Sequence, residues 1–120
     1  MDERRFWATI EEAWQASGGW AGARRALAMG KLPGDQVVAL VEKLDEVIPA
    51  LRSALEGLSR EELHEFDRIL ERLLYRIDRE ELQAATGGSE DGFLYARGFI
   101  VALGQSCFEA VDEDPSLAPP

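Results

Sequence analysis

The chain has 120 residues, with 13 basic and 23 acidic side chains and a formal net charge of −10. That length suffices for one domain to bury a core without disulfides or metal, and the single cysteine, Cys107, excludes an intrachain disulfide in any case. An apolar content of 46% lies above the disordered range, and the acidity argues against a nucleic-acid module, whose affinity is built from clustered Lys and Arg.

The charge is unevenly placed. Residues 1–60 hold nine acids and eight bases (8 − 9 = −1), whereas residues 61–120 hold fourteen acids and five bases (5 − 14 = −9). No apolar secretory segment follows Met1, and no uncharged stretch approaches the roughly 18–20 apolar residues of a membrane span. A cytoplasmic location without membrane association is the expectation.

Apolar residues recur at helical spacing almost throughout, and no segment sustains period-two alternation. The first helix should span about Glu3–Ala16, with Phe6, Trp7, Ile10, Ala13 and Trp14 on one face, and Ser17-Gly18-Gly19 should end it. Residues 20–34 support either a short helix or a loop, because four glycines fall between 18 and 30, and Lys31-Leu32-Pro33-Gly34 reads as a turn. From Asp35, a good N-cap, Val37, Val41, Leu44, Ile48, Leu51, Leu55 and Leu58 form a heptad-like seam. Pro49 removes the bond to the Asp45 carbonyl, so a break or kink is expected near 48–50. Ser59-Arg60-Glu61-Glu62 is a capping box, and the helix it starts carries Leu63, Phe66, Leu70, Leu73, Leu74 and Ile77. Residues 78–85 either add a turn or restart before Thr86-Gly87-Gly88. Ser89 should cap a helix to about Leu103, with Gly104 as a joint before Gln105 to Asp112. The fold class is therefore all-α, a compact single-domain bundle of five to six helices over residues 1–113, followed by a Pro-rich tail at 114–120.

These pieces resemble a bacterial domain-of-unknown-function family, number 4240. The residues that carry the likeness are Asp2, Glu3, Phe6 and Trp7; Leu58, Ser59, Glu61 and Glu62 with Phe66-Asp67-Arg68; the run Gly87 to Phe93 with Tyr95, Arg97, Gly98, Phe99 and Ile100; and Phe108-Glu109-Ala110 with Asp114 to Ala118. The likeness is strong at residues 2–14 and 58–118. It departs at Ser89, where the family tends to carry Cys, and at Arg79-Glu80-Glu81, where the family is aromatic. The resemblance implies a mostly helical domain and no established activity.

No motif for a metal, a cofactor, a nucleophile or a phosphate loop is present. One histidine, His64, and one cysteine cannot build a His- or Cys-rich metal site. The Gly87-Gly88-Ser89 segment offers amides at a helix start, but Glu90 and Asp91 already place negative charge there, so capping is the better account. Cys107 reads as a buried hydrophobe and His64 as solvent-facing. Arg97 is more informative. On a wheel anchored at Phe93 it falls at about 40°, inside the apolar face, so its guanidinium must be paired. Asp67, on the flank of the preceding stripe, is the candidate partner. Trp7 and Trp14 share a core face, while Trp20 in its glycine-rich surround is a candidate partner anchor. Tyr75 and Tyr95 project away from their stripes, and Asp91 lies one turn before Tyr95, which makes an acidic, tyrosine-bearing contact surface.

With no reaction in view, a non-catalytic protein without cofactor or metal is expected: a small acidic interaction or regulatory module that meets a basic protein partner. The alternative is an enzyme or small-ligand-binding protein with a cleft around Asp67, Asp91, Tyr95 and Arg97. Self-association through residues 37–58 is a third option, with intramolecular packing favoured for that seam.

Overall fold

Asp2 begins the first helix by accepting the Arg5 amide on its carboxylate at 2.9 Å, and the helices then follow without an intervening strand among the described residues, 1–87 and 89–119, of the computed structural model. They are α1 (Glu3–Ala16), α2 (Ala21–Ala28), α3 (Gly34–Glu56), α4 (Arg60–Arg76), α5 (Glu80–Thr86), α6 (Glu90–Ala102) and α7 (Gln105–Glu113), with a closing 3-10 turn at Pro115–Leu117. The count is seven rather than five to six, because both ambiguous segments become helices. In the first, only Gly22 of the four glycines lies inside α2; Gly18, Gly19 and Gly30 sit outside it at positive φ, where the turns require them. In the second, α4 ends at Arg76 and α5 restarts at Glu80 with Glu80 and Glu81 in its first turn.

Pro49 does not divide α3, which runs unbroken to Glu56. Pro49 and Asp45 both lie exposed, so the carbonyl that loses its bond can be hydrated, while Leu40, Leu44 and Val47 bury the opposite face. The buried centre of α3 is thus 40, 44 and 47, with Val37, Val41, Ile48 and Leu51 half-buried beside it. The helix also starts one residue before the expected cap: Pro33 holds the N-cap position, and Asp35 stands in the first turn, where its charge favours the dipole. The Ser59 capping box closes as expected, with Ser59 Oγ accepting from the Glu62 amide and Glu62 accepting from the Ser59 amide, both at 3.2 Å.

The core is built on α1. Phe6, Ile10, Ala13 and Trp14 are each at most 2% exposed, and α1 lies along α3. Each fully buried large side chain of this kind contributes about 1.5–3 kcal/mol relative to exposure. Phe6 packs on Phe66 of α4, Trp7 on Phe108 of α7, and the Trp14 indole donates to the Ala102 carbonyl at 2.8 Å. Helices α4 and α6 pack together, as do α2 and α7. A radius of gyration of 13.8 Å matches the roughly 13.6 Å expected of a compact chain of this length. Residues 114–119 pack too: Asp114 caps the 3-10 turn, Ala118 is buried, and Leu117 lies against Gly30.

Candidate functional site

Arg97 is largely buried and paired, but not by Asp67. Its Nη1 donates to the Leu74 carbonyl at 3.1 Å and lies 3.7 Å from the Asp78 carboxylate, and the guanidinium sits over the Phe93 ring at 4.8 Å. Leu74 is in the last turn of α4, whose carbonyls lack helical partners, so Arg97 acts as a C-terminal cap for that helix. Asp67 lies seven residues earlier on α4, about 10 Å along the axis, and is exposed. The sequence stripe placed Asp67 on the right helix at the wrong level. The orphan carbonyls of a helix end, followed directly by Asp78, were the signal for the true partners.

The other nominated residues disperse. Trp20 is half-buried rather than a free anchor: it forms the N-cap of α2 at φ 50°, packs on the core and carries the Lys43 ammonium 5.4 Å above its ring. Tyr75 is 80% exposed near the end of α4. Asp91 and Tyr95 are exposed one turn apart on α6, and there they have company. Leu94 and Phe99 are exposed on the same side, and Gly98 between them has open space where a side chain would stand. Helix α6 is therefore apolar on its buried side (Phe93, Ile100, Val101) and substantially apolar on its solvent side as well.

The larger of two described cavities, about 490 Å³, is elsewhere and contains none of Asp67, Asp91, Tyr95 or Arg97. It lies between α1, α2 and the start of α7. Its charged lining is Arg4, Glu11, Arg24 and Arg25, and its apolar lining includes Trp7, Met29 and Leu103. Arg24, only 7% exposed, organises the wall. It forks onto Glu11 (Nη1 to Oε1 at 2.6 Å, Nη2 to Oε2 at 2.9 Å), donates to the Gly19 and Leu103 carbonyls at 3.2 Å, and covers the Trp14 ring at 4.6 Å. Gly104 makes this possible, because a Cβ there would fall 2.9 Å from both Arg24 Nη1 and Glu11 Oε1. Cys107, also in the wall, donates its thiol to the Arg24 carbonyl at 3.2 Å, and burial pushes its pKa up to about 11. At neutral pH it is a thiol, not a thiolate nucleophile.

Sequence reasoning missed this cluster. Its trace was the position of the charges: Glu11 edges the α1 stripe between Trp7 and Trp14, and Arg24 stands three residues before Leu27 on the buried side of α2. Among the described residues, no group of three or more His, Cys, Asp or Glu side chains is placed to hold a metal ion, and no helix is long and apolar enough to cross a membrane.

No curated protein and no solved structure matched this chain. A family model described as "Protein of unknown function (DUF4240)" matches residues 1–119, so the chain belongs to that family.

Proposed function

We propose that this chain is a small non-catalytic interaction module, and that the solvent face of α6 receives a basic, amphipathic helix of a partner protein. The observation that carries this reading is the exposure of Leu94, Tyr95 and Phe99 around an open Gly98 on one helix. A glycine with nothing over it lets a partner backbone approach closely, and aromatic anchors beside it supply area at low entropic cost. The sign of the partner follows from charge: Asp91 lies on the same face, and residues 61–120 carry 5 − 14 = −9.

A synthetic Leu/Lys amphipathic helix titrated into the full chain tests it. The amide NMR signals of Leu94, Tyr95, Gly98 and Phe99 should shift, binding should weaken with salt, and Tyr95→Ala with Phe99→Ala should lower affinity by about tenfold or more. Shifts spread evenly over the surface, or affinity indifferent to salt, would overturn the reading. A dimer in light scattering that buries Tyr95 would also overturn it, since the occupant would then be a second copy of the chain.

A further inference from the structure

The cavity between α1, α2 and α7 carries the opposite sign to the rest of the molecule. Three arginines and one glutamate line it, 3 − 1 = +2, in a chain of net −10. Glu11 is already engaged by the Arg24 fork. The side chains of Arg4 and Arg25, both exposed, have no ion-pair or hydrogen-bond partner among the described residues, so the cavity holds two uncompensated guanidinium groups.

More donors stand in the same wall. Helix α7 begins with neither a side-chain cap nor an acid in its first turn, unlike α1, α3, α4, α5 and α6, each of which has at least one acid there. The first of its amides to reach a helical carbonyl is that of Phe108, to Gly104 at 3.0 Å, which leaves the amides of Gln105, Ser106 and Cys107 at the cavity without one. Independently, Trp7 in this wall is 4% exposed and its indole N–H has no partner. The apolar lining from Trp7, Met29 and Leu103 offers a surface for a ring or short chain beside the donors.

We propose that this cavity binds a small organic phosphate monoester. The phosphate lies between Arg4, Arg25 and the α7 amides, and the organic remainder lies on the Trp7 ring and Met29. Two unpaired cations match a dianion, and three non-bridging oxygens use the forked donors and amides more fully than two carboxylate oxygens would. The volume of about 490 Å³ is of the size that takes a small organic ligand and exceeds what inorganic phosphate fills. The binding is non-covalent, and no bond is made or broken.

The test is an amide NMR titration of the full chain with phenyl phosphate, compared with inorganic phosphate and phenylacetate. Saturable shifts are expected at Gln105, Ser106, Cys107 and the Trp7 indole N–H, while the Trp14 indole, held by the Ala102 carbonyl, stays in place. Arg4→Ala and Arg25→Ala remove exposed, unpaired side chains, so far-UV circular dichroism should be unchanged while each weakens phenyl phosphate about tenfold. Arg52→Ala, outside the cavity, should change nothing. The proposal is overturned by an absence of saturable shifts at these signals, by binding insensitive to both cavity arginines, or by inorganic phosphate or phenylacetate binding as tightly as phenyl phosphate.

Discussion

Replacing Gly104 by alanine should damage the protein at two levels at once. The residue adopts φ 105° and ψ 171°, a region essentially reserved for glycine, and forcing a side chain into it costs about 1–3 kcal/mol. The added Cβ also falls 2.9 Å from Arg24 Nη1 and Glu11 Oε1, so the fork must open. Arg24 cannot retreat freely, because it is held by the Gly19 and Leu103 carbonyls and stacked on Trp14. Loosening one charge-assisted bond costs about 1.5–3 kcal/mol, reduced because Glu11 is itself 43% exposed and partly screened. The sum is about 2–4 kcal/mol, or a fall in Tm on the order of 10 °C for a chain of this length. Urea unfolding followed by tryptophan fluorescence measures it, with Gly87→Ala as the reference. Gly87 also has a positive φ, 67°, but open space around it, so its variant reports backbone strain alone, about 1–2 kcal/mol. Equal losses at the two sites would refute the claim that Gly104 is required by the Arg24–Glu11 fork.

Other outcomes follow from the same geometry. Gly98→Ala, at a half-buried helix-interior position with nothing near the new methyl, should stabilise the fold by about 0.5–1 kcal/mol while weakening any partner seated on α6, measured by thermal denaturation and peptide titration. Arg97→Met should cost at most about 1.5 kcal/mol in urea unfolding, because the ion pair to Asp78 is long and half-exposed and the Arg97 Nε is buried without a partner; a loss above about 3 kcal/mol would show that the cap on Leu74 is worth far more than assigned. Glu62 is held below the usual carboxylate pKa by the Ser59 amide, then by the Ser59 hydroxyl, with Arg5 adding to both. A depressed folded pKa means that its contribution is present at neutral pH and lost as the group protonates, so the stability gap between wild type and Glu62→Gln should close on acidification through and below the carboxylate range. Cys107 has the opposite sign. Its folded pKa is raised to about 11 by burial, so stability should fall as pH rises from about 8.5, where the unfolded thiol ionises, towards that value, and Cys107→Ala should flatten this alkaline limb.

Local chemistry was the legible part of this fold. The Ser59 capping box, the Ser89 cap and the α1 stripe are written in residues three or four apart, and each appears where its spacing puts it. What spacing could not decide was set by tertiary context. Pro49 stays inside α3 because it and Asp45 lie on an exposed side, where the freed Asp45 carbonyl can be hydrated, and the other side of the helix is buried against the core. The Arg97 partner depended on how far α6 slides along α4, a distance no single-helix pattern contains. The Arg24 fork joins residues from α1, α2 and the α6–α7 joint, and only Gly104, read as a joint, hinted that three backbones converge there.

The net charge of −10 misled in the same way. It counts against an extended basic surface for nucleic acid, since such binding sums many phosphate contacts. It says little about a pocket for one phosphate, which needs only a few donors held apart from the acids. Arg4, Arg24 and Arg25 all come from the first 25 residues, whereas the acidic excess belongs to residues 61–120. Helix packing brings those three arginines together and spends Glu11 on the one that is buried, leaving two cations in the wall of a cavity on an otherwise anionic protein. The composition therefore bears on what covers the outside of this molecule, and the fold decides what the cavity between α1, α2 and α7 can hold.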